Sequence, residues 1–210
     1  SIPSRSLYTM GIANDDSFGV LVGDGYYVAV DPTDPDVVYA EYQGGRLFRI
    51  SRRTWERRDI TPFAPPGEPP YRINSNQPLL LSPHNTRTLY MGGNRLFTSI
   101  DRGETWRVRD VLAKPAGRPG GSAAADGQIT SIAESPLKAG ILWIGTDTGH
   151  VKVSRDGGAT WADTTPAEPG LPAGLDVSRV VASASGAGTA YVTFNGHLQN
   201  EFAPHLFRTT

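Results

Sequence analysis

Apolar positions in this chain come in short runs: YYVAV at 26–30, VVYAEY at 37–42, RLFRI at 46–50, PLLL at 78–81, TLYMG at 88–92, RLFTS at 95–99. The second half continues the series with ITSIA at 129–133, ILWIG at 141–145, VKVS at 151–154, DVSRVVA at 176–182 and AYVTF at 190–194. The runs are rich in Val, Ile, Leu, Tyr and Thr, and most of the 24 glycines and 17 prolines fall between them. Nowhere does an apolar stripe recur at helical spacing for ten residues. The pattern predicts many short strands joined by tight turns and no long helix.

Superposing the chain on itself sharpens this picture. Leu47, Leu96, Val151 and Leu206 align with spacings of 49, 55 and 55 residues. The segments before them align too: VDPTDPDVVYAEYQGG (30–45), LSPHNTRTLYMGGN (81–94), ESPLKAGILWIGTDTG (134–149) and ASGAGTAYVTFNG (184–196). Each repeat reads as four antiparallel strands, A to D, and a four-stranded repeat of about 50 residues is the period of a β-propeller blade. The predicted fold is all-β: a β-propeller of four-stranded antiparallel blades around a channel. Whole blades are expected at about 23–70, 71–122 and 123–170, flanked by partial ones at 1–22 and 171–210, which makes the chain a propeller segment.

Between strands C and D stand SIDRGETW (99–106) and SRDGGATW (154–161). An Asp opening such a turn accepts backbone N–H bonds, Gly supplies positive φ, Ser and Thr hydroxyls close the hairpin, and the Trp packs over it. RISRRTWERR (49–58) occupies the same position without the Asp and Gly and must close differently. S-x-D-x-G-x-T-W resembles the Asp-box, or BNR repeat, of sialidases, sortilin-type Vps10 domains, and xyloglucanase-like and photosystem-assembly-factor propellers. The phrasing over nearly the whole chain is similar to bacterial sortilin-like "BNR repeat glycosyl hydrolase" sequences. The resemblance implies a propeller whose Asp-boxes lie at the blade periphery, away from any active site.

Composition changes the picture by exclusion. A net charge of −1, from 20 basic and 21 acidic residues, provides no field to recruit nucleic acid or an anionic membrane. The absence of cysteine removes disulfides, thiolate metal sites and thiol nucleophiles. No run is long enough to span a membrane. His84, His150, His197 and His205 lack metal-ligand spacing, so no metal and no cofactor are expected. SPLK at 135–138 has the S-x-x-K spacing of a Ser-Lys nucleophile but falls in an A-to-B turn rather than a helix. A secreted or periplasmic location is expected.

Function is expected on the face formed by the D-to-A and B-to-C loops. Polar residues recur where the Pro/Gly-rich D-to-A loops re-enter the inner strands: Asp24, Asn74, Asn76, Asp126, Gln128, Asp176 and Arg179. The B-to-C loops add Gln43, Asn94, Asp147 and His150, and the excursion at 195–205 adds His197, Glu201 and His205. The binding candidates are Asp24, Asn74, Asn76, Gln128, Arg179, His150 and His197. The carboxylates available for catalysis are Asp24, Asp126, Asp147 and Asp176, since glycoside hydrolysis needs a carboxyl pair. The turn GTDTG around Asp147 resembles the Thr-Asp-x-Gly turn that carries a catalytic Asp in xyloglucanases. The first expectation is a non-catalytic recognition propeller binding a protein, peptide or glycan. The alternatives are a sialidase- or xyloglucanase-like glycoside hydrolase and a structural or assembly-factor segment. Three whole blades are expected to lack glycosidase turnover by themselves. Self-association, or pairing with further blades, is expected because strand 206–210 would have an open edge and Val180 and Tyr191 would be poorly covered.

Overall fold

The computed structural model describes residues 9, 11–12, 19–24, 26–74, 76–112, 127–167 and 171–209. Asp126, most of the 111–127 loop and the segment around Leu7 to Met10 lie outside the described residues. The alternating runs fold into four antiparallel sheets, each a meander in chain order. The first holds β1 (Val28–Asp31), β2 (Asp34–Tyr42), β3 (Arg46–Ser51) and β4 (Arg57–Asp59). The second holds β5 (Leu79–Leu81), β6 (Leu89–Gly92), β7 (Leu96–Ser99) and β8 (Arg107–Arg109). The third holds β9 (Ile129–Glu134), β10 (Leu142–Thr146), β11 (Val151–Ser154) and β12 (Ala162–Asp163). Among the described residues the fourth has three strands, β13 (Asp176–Ala182), β14 (Ala190–Gly196) and β15 (Glu201–Thr209). The inner strands β1, β5, β9 and β13 neighbour one another in that order, so the sheets stand side by side as propeller blades.

The core lies between blades. Tyr39 and Leu47 meet Leu89, Met91 and Phe97 at the first joint. Tyr90 and Leu96 meet Ile132, Leu142 and Ile144 at the second. Trp143 and Val153 meet Val177, Val180 and Val192 at the third. Period-2 alternation makes this possible, because each strand then offers one apolar set to either neighbour. Close approach at the inner edge needs a residue without a side chain. A Cβ on Gly92 would sit 2.9 Å from Ile129, and one on Gly145 would collide with Val177.

At the first joint the corresponding position is Glu41, opposite Leu47 as Gly92 is opposite Leu96. Glu41 is buried; its Oε2 accepts the Tyr27 N–H at 3.2 Å, and its Oε1 has no partner among the described residues. Burial drives its pKa up to about 8, against the pull of that one amide.

The hairpins match the sequence reading closely. Asp101 accepts the Thr105 hydroxyl at 2.5 Å, the Thr105 N–H at 2.9 Å and the Ser99 hydroxyl at 2.7 Å, while Ser99 Oγ accepts the Gly103 N–H at 2.8 Å. Asp156, Thr160, Ser154 and Gly158 repeat the arrangement. The two tryptophans differ. Trp161 Nε1 donates within its own turn to the Gly158 carbonyl, but Trp106 Nε1 donates to Ile60 of the preceding blade at 2.7 Å. In the divergent hairpin Trp55 itself takes positive φ, 59°, and its N–H donates to the Ser51 carbonyl at 2.7 Å.

The A-to-B turns also repeat. Asp31, Ser82, Ser135 and Ser183 each accept the backbone N–H two residues on, which places SPLK in a turn. His84 in the second of these turns bonds the Ser135 carbonyl of the next blade at 2.7 Å.

One expectation is corrected. Val180 is 3% exposed and packs at the third joint; Val181 (51%) stands on the open face with Tyr191 (43%) and Leu206 (66%). A bulge between Val177 and Arg179 is the cause, since it brings Val177 and Val180, three residues apart, to the same face.

Two outcomes follow from these arrangements. The Thr105 hydroxyl, the Thr105 amide and the Ser99 hydroxyl hold the Asp101 pKa down at about 2, from an ordinary 3.8. The stability this contributes is present above pH 4 and fades as pH falls toward 2. Asp101→Ala should therefore cost about 1–2 kcal/mol in urea unfolding at pH 7 and much less at pH 2. Glu41 has the opposite sign: its raised folded pKa means stability is lost progressively from the ordinary carboxyl range up to about pH 8. Glu41→Gln should match the parent's melting temperature near pH 4.5 and exceed it at pH 8.5; equal melting temperatures at both would contradict the buried, unpaired carboxyl.

Candidate functional site

The site sits where the loops of the third and fourth blades converge. Two repeated local devices build the face that carries it. In the first, a residue one or two positions after strand B latches the chain re-entering from the D-to-A loop. In the second blade Asn94 Oδ1 accepts the Arg72 N–H at 3.1 Å and the Asn94 N–H donates to the Arg72 carbonyl at 2.8 Å. In the third, Asp147 Oδ1 accepts the Gln128 N–H at 2.6 Å and the Asp147 N–H donates back at 3.0 Å. Asn and Asp serve this latch equally, because only one side-chain oxygen is used.

The second device is the sequence Asp-x-Thr-Pro, at 59–62 and again at 163–166. Asp59 and Asp163 each accept the N–H of the Thr two residues on, and Thr61 and Thr165 accept the N–H of Leu47 and Val151. In the first three blades a basic residue at the start of strand C pairs with an Asp at or just past the end of strand D: Arg46 with Asp59, Arg95 with Asp110, which stands outside any Asp-x-Thr-Pro, and His150 with Asp163. Burial pushes the Asp163 carboxyl up, but the Thr165 hydroxyl and amide and the His150 ring outweigh it and hold it below the ordinary range.

Blade four brings Asp176 to the position that Arg72 and Gln128 hold, opposite Asn195. Its pKa is raised, first by burial and then by the charge of Asp147. Two of the sequence candidates, from different blades, are thus close enough for one charge to act on the other. Beside them a groove of about 330 Å³ is lined by His150, Pro166, Leu171, Pro172 and Phe194. Asp147 and Asp176 do not line this groove themselves; each is next in the chain to a residue that does, Thr148 and Leu175.

The other candidates take different places. Arg179 Nη1 reaches the Tyr27 hydroxyl, 3.4 Å away on the approach to β1, so the first and fourth blades touch at the channel. The Tyr26 hydroxyl donates to Asp24 at 3.3 Å. Gln128 contributes its backbone to the Asp147 latch. Asn74 is engaged within the protein, and Asn76 is exposed. His197 pairs with Asn195 and packs edge-on against Phe202, ring centroids 5.4 Å apart. Among the described residues no group of three or more His, Cys, Asp or Glu is placed to hold a metal, and no helix is long and apolar enough to cross a membrane. Tyr27 and Asp163 were not among the sequence candidates; the repeated Asp-x-Thr-Pro would have signalled Asp163.

No family model matches the sequence. Among curated proteins, the chain is similar to the oligoxyloglucan-reducing end-specific xyloglucanase of Emericella nidulans, 25% identical over 183 residues, and to a probable one of Neosartorya fischeri, 24% identical over 186. Each match covers 82% of this chain and 22% of the relative, so the chain spans about a fifth of those proteins' length. Among solved structures, the GH74 xyloglucanase of Xanthomonas campestris superposes with a TM-score of 0.53 and 27% identity, covering 80% of this chain and 26% of that one. The Niastella koreensis GH74 enzyme superposes with a TM-score of 0.57 and 19% identity, over 88% of this chain and 28% of that one. The propeller fold is shared with these enzymes. The likeness favours the glycoside hydrolase reading over the non-catalytic one.

Replacing Asp147 by Asn keeps the latch, as Asn94 does, and removes the charge that acts on Asp176. Carbon-detected NMR titration of the Asp176 carboxyl should show a lower pKa in Asp147→Asn than in the parent; an unchanged midpoint would separate the two groups.

Proposed function

We propose that this chain is part of a glycoside hydrolase propeller of the xyloglucanase type, acting on a β-glucan at the groove between its third and fourth blades. Its C-to-D hairpins are then Asp-boxes in bonding as well as in sequence. One observation carries the reading: Asp147 occupies a latch that an amide serves equally well, and its surplus charge bears on Asp176. Asp176, with its raised pKa, suits the proton donor to the glycosidic oxygen; Asp147 suits the carboxylate that assists attack at the anomeric carbon. Burial and the Asp147 charge keep Asp176 protonated to a higher pH than an exposed carboxyl, and the groove walled by Pro166, Leu171 and Pro172 begins at the neighbouring residues. A polysaccharide does not cross a membrane, so the protein acts outside the cytoplasm.

A recognition role without chemistry is the second reading. It is favoured by the fact that Asp147 already has a structural partner in Gln128.

Both carboxyl groups belong to this chain, so, against the expectation that three whole blades lack turnover by themselves, the 210-residue protein is itself the reagent. Xyloglucan oligosaccharides should be hydrolysed, and Asp147→Asn and Asp176→Asn should each lower kcat by about 100-fold or more without moving the melting temperature. Binding without turnover, insensitive to both substitutions, would instead establish the recognition role.

A further inference from the structure

We propose that a second carbohydrate site lies on the same loop face at the joint of the first and second blades, astride Tyr71, and that it holds a neutral glucan chain through the exposed ring of Phe63. The inference rests on the β-glucan reading above for its ligand class, but on different residues and a different joint.

Two hollows meet at Pro70 and Tyr71. One, of about 200 Å³, is walled by Arg46, Pro62, Phe63 and Ile73. The other, of about 320 Å³, is walled by Glu68, Asn94, Arg95 and Asp110. The first is largely apolar and aromatic, the second polar. A pyranose has the same two characters, with C–H faces that pack on an aromatic ring and an equatorial rim of hydroxyls. Two or more linked rings laid across Tyr71 would meet the aromatic hollow first and the hydroxyl-binding one next.

Comparison of the repeats shows that Phe63 is not needed by the fold. The Asp-x-Thr-Pro turn is closed in both blades by the same bonds from Thr61 and Thr165, and in the third blade the residue after the proline is Ala167. Phe63 adds a ring that is 67% exposed, with the Arg46 guanidinium 5.9 Å from its centroid. Tyr71, by contrast, is anchored edge-on against Phe97 of the core at 5.0 Å, which fixes the ridge between the hollows.

Charge selects the ligand further. Arg46 is matched by Asp59 and Arg95 by Asp110, and Glu68 adds a negative charge. The site therefore repels a sialoside, uronate or phosphate and leaves paired donors and acceptors for uncharged hydroxyls.

The test is calorimetric titration of the 210-residue protein with cellotetraose and a xyloglucan heptasaccharide, with trigalacturonate as the charged probe. Phe63→Ala, a surface change, should weaken the neutral oligosaccharides about tenfold while Asp147→Asn leaves that Phe63-dependent binding intact. Amide shifts on titration should centre on Gly44, Thr61, Asn94 and Arg95. Unchanged affinity in Phe63→Ala, shifts confined to the surroundings of Asp147 and Asp176, no binding of either neutral sugar, or tighter binding of trigalacturonate would each overturn the proposal. If Phe63→Ala binds and hydrolyses like the parent, this site falls and the hydrolase reading stands. If Phe63-dependent binding persists without turnover, the reverse holds.

Discussion

The structure depends on how closely one sheet's inner strand approaches the next. Each blade has its own backbone ladder, but its apolar side chains are buried only against a neighbour. At two of the three joints the approach is made at a glycine, Gly92 or Gly145, against Ile129 or Val177 of the following blade. The remaining joint, the first, keeps the geometry with a glutamate in that place. Glu41 is accommodated as a nearly neutral group, since burial favours its protonated form, and beyond its one amide bond Oε1 is unpaired among the described residues. The first joint is thus the one whose packing responds to proton concentration.

Repetition supplies an internal control for function. Where equivalent positions do the same structural work with different side chains, the atoms beyond that work are available for something else. Asn94 and Asp147 form one latch, yet only Asp147 leaves a charge. Thr61 and Thr165 close one turn, yet only the first is followed by an aromatic ring. Arg46, Arg95 and His150 each pair with an Asp on or just after strand D, yet only the third is an imidazole. The differences gather at the loop face, while the hairpins at the outer edge stay nearly alike.

What could be read from the sequence divides along the same line. The hairpins were legible because Ser99, Asp101, Gly103 and Thr105 bond within seven residues, so spacing alone specifies the geometry. The strand order was legible because turns of Asp, Ser and Gly punctuate a period-2 pattern. The neighbourhood of Asp147 and Asp176 was not, since the two stand on different blades and their distance depends on blade rotation and on the bulge before Arg179. That bulge also moved burial from Val181 to Val180. The contact of Arg179 with Tyr27, 152 residues apart, lies further still beyond local pattern. The polar residues expected where the loops re-enter the inner strands were sorted by the structure into latch residues, two carboxyl groups that sense one another, and surface groups such as Asn76.

The hairpins carry a consequence for how such a chain arises. Asp101 and Asp156 satisfy the backbone donors of their own turns with atoms supplied from within the same eight residues. A unit that closes its own hydrogen bonds asks little of whatever stands beside it. Copying the corresponding stretch of a gene therefore yields a segment that folds its outer edge at once, with only the inner seam left to be fitted. Tandem duplication followed by drift at the seam and the loops would build a ring of sheets from such units, and the hairpin at Trp55 departs from the pattern while the strands on either side of it stay in register.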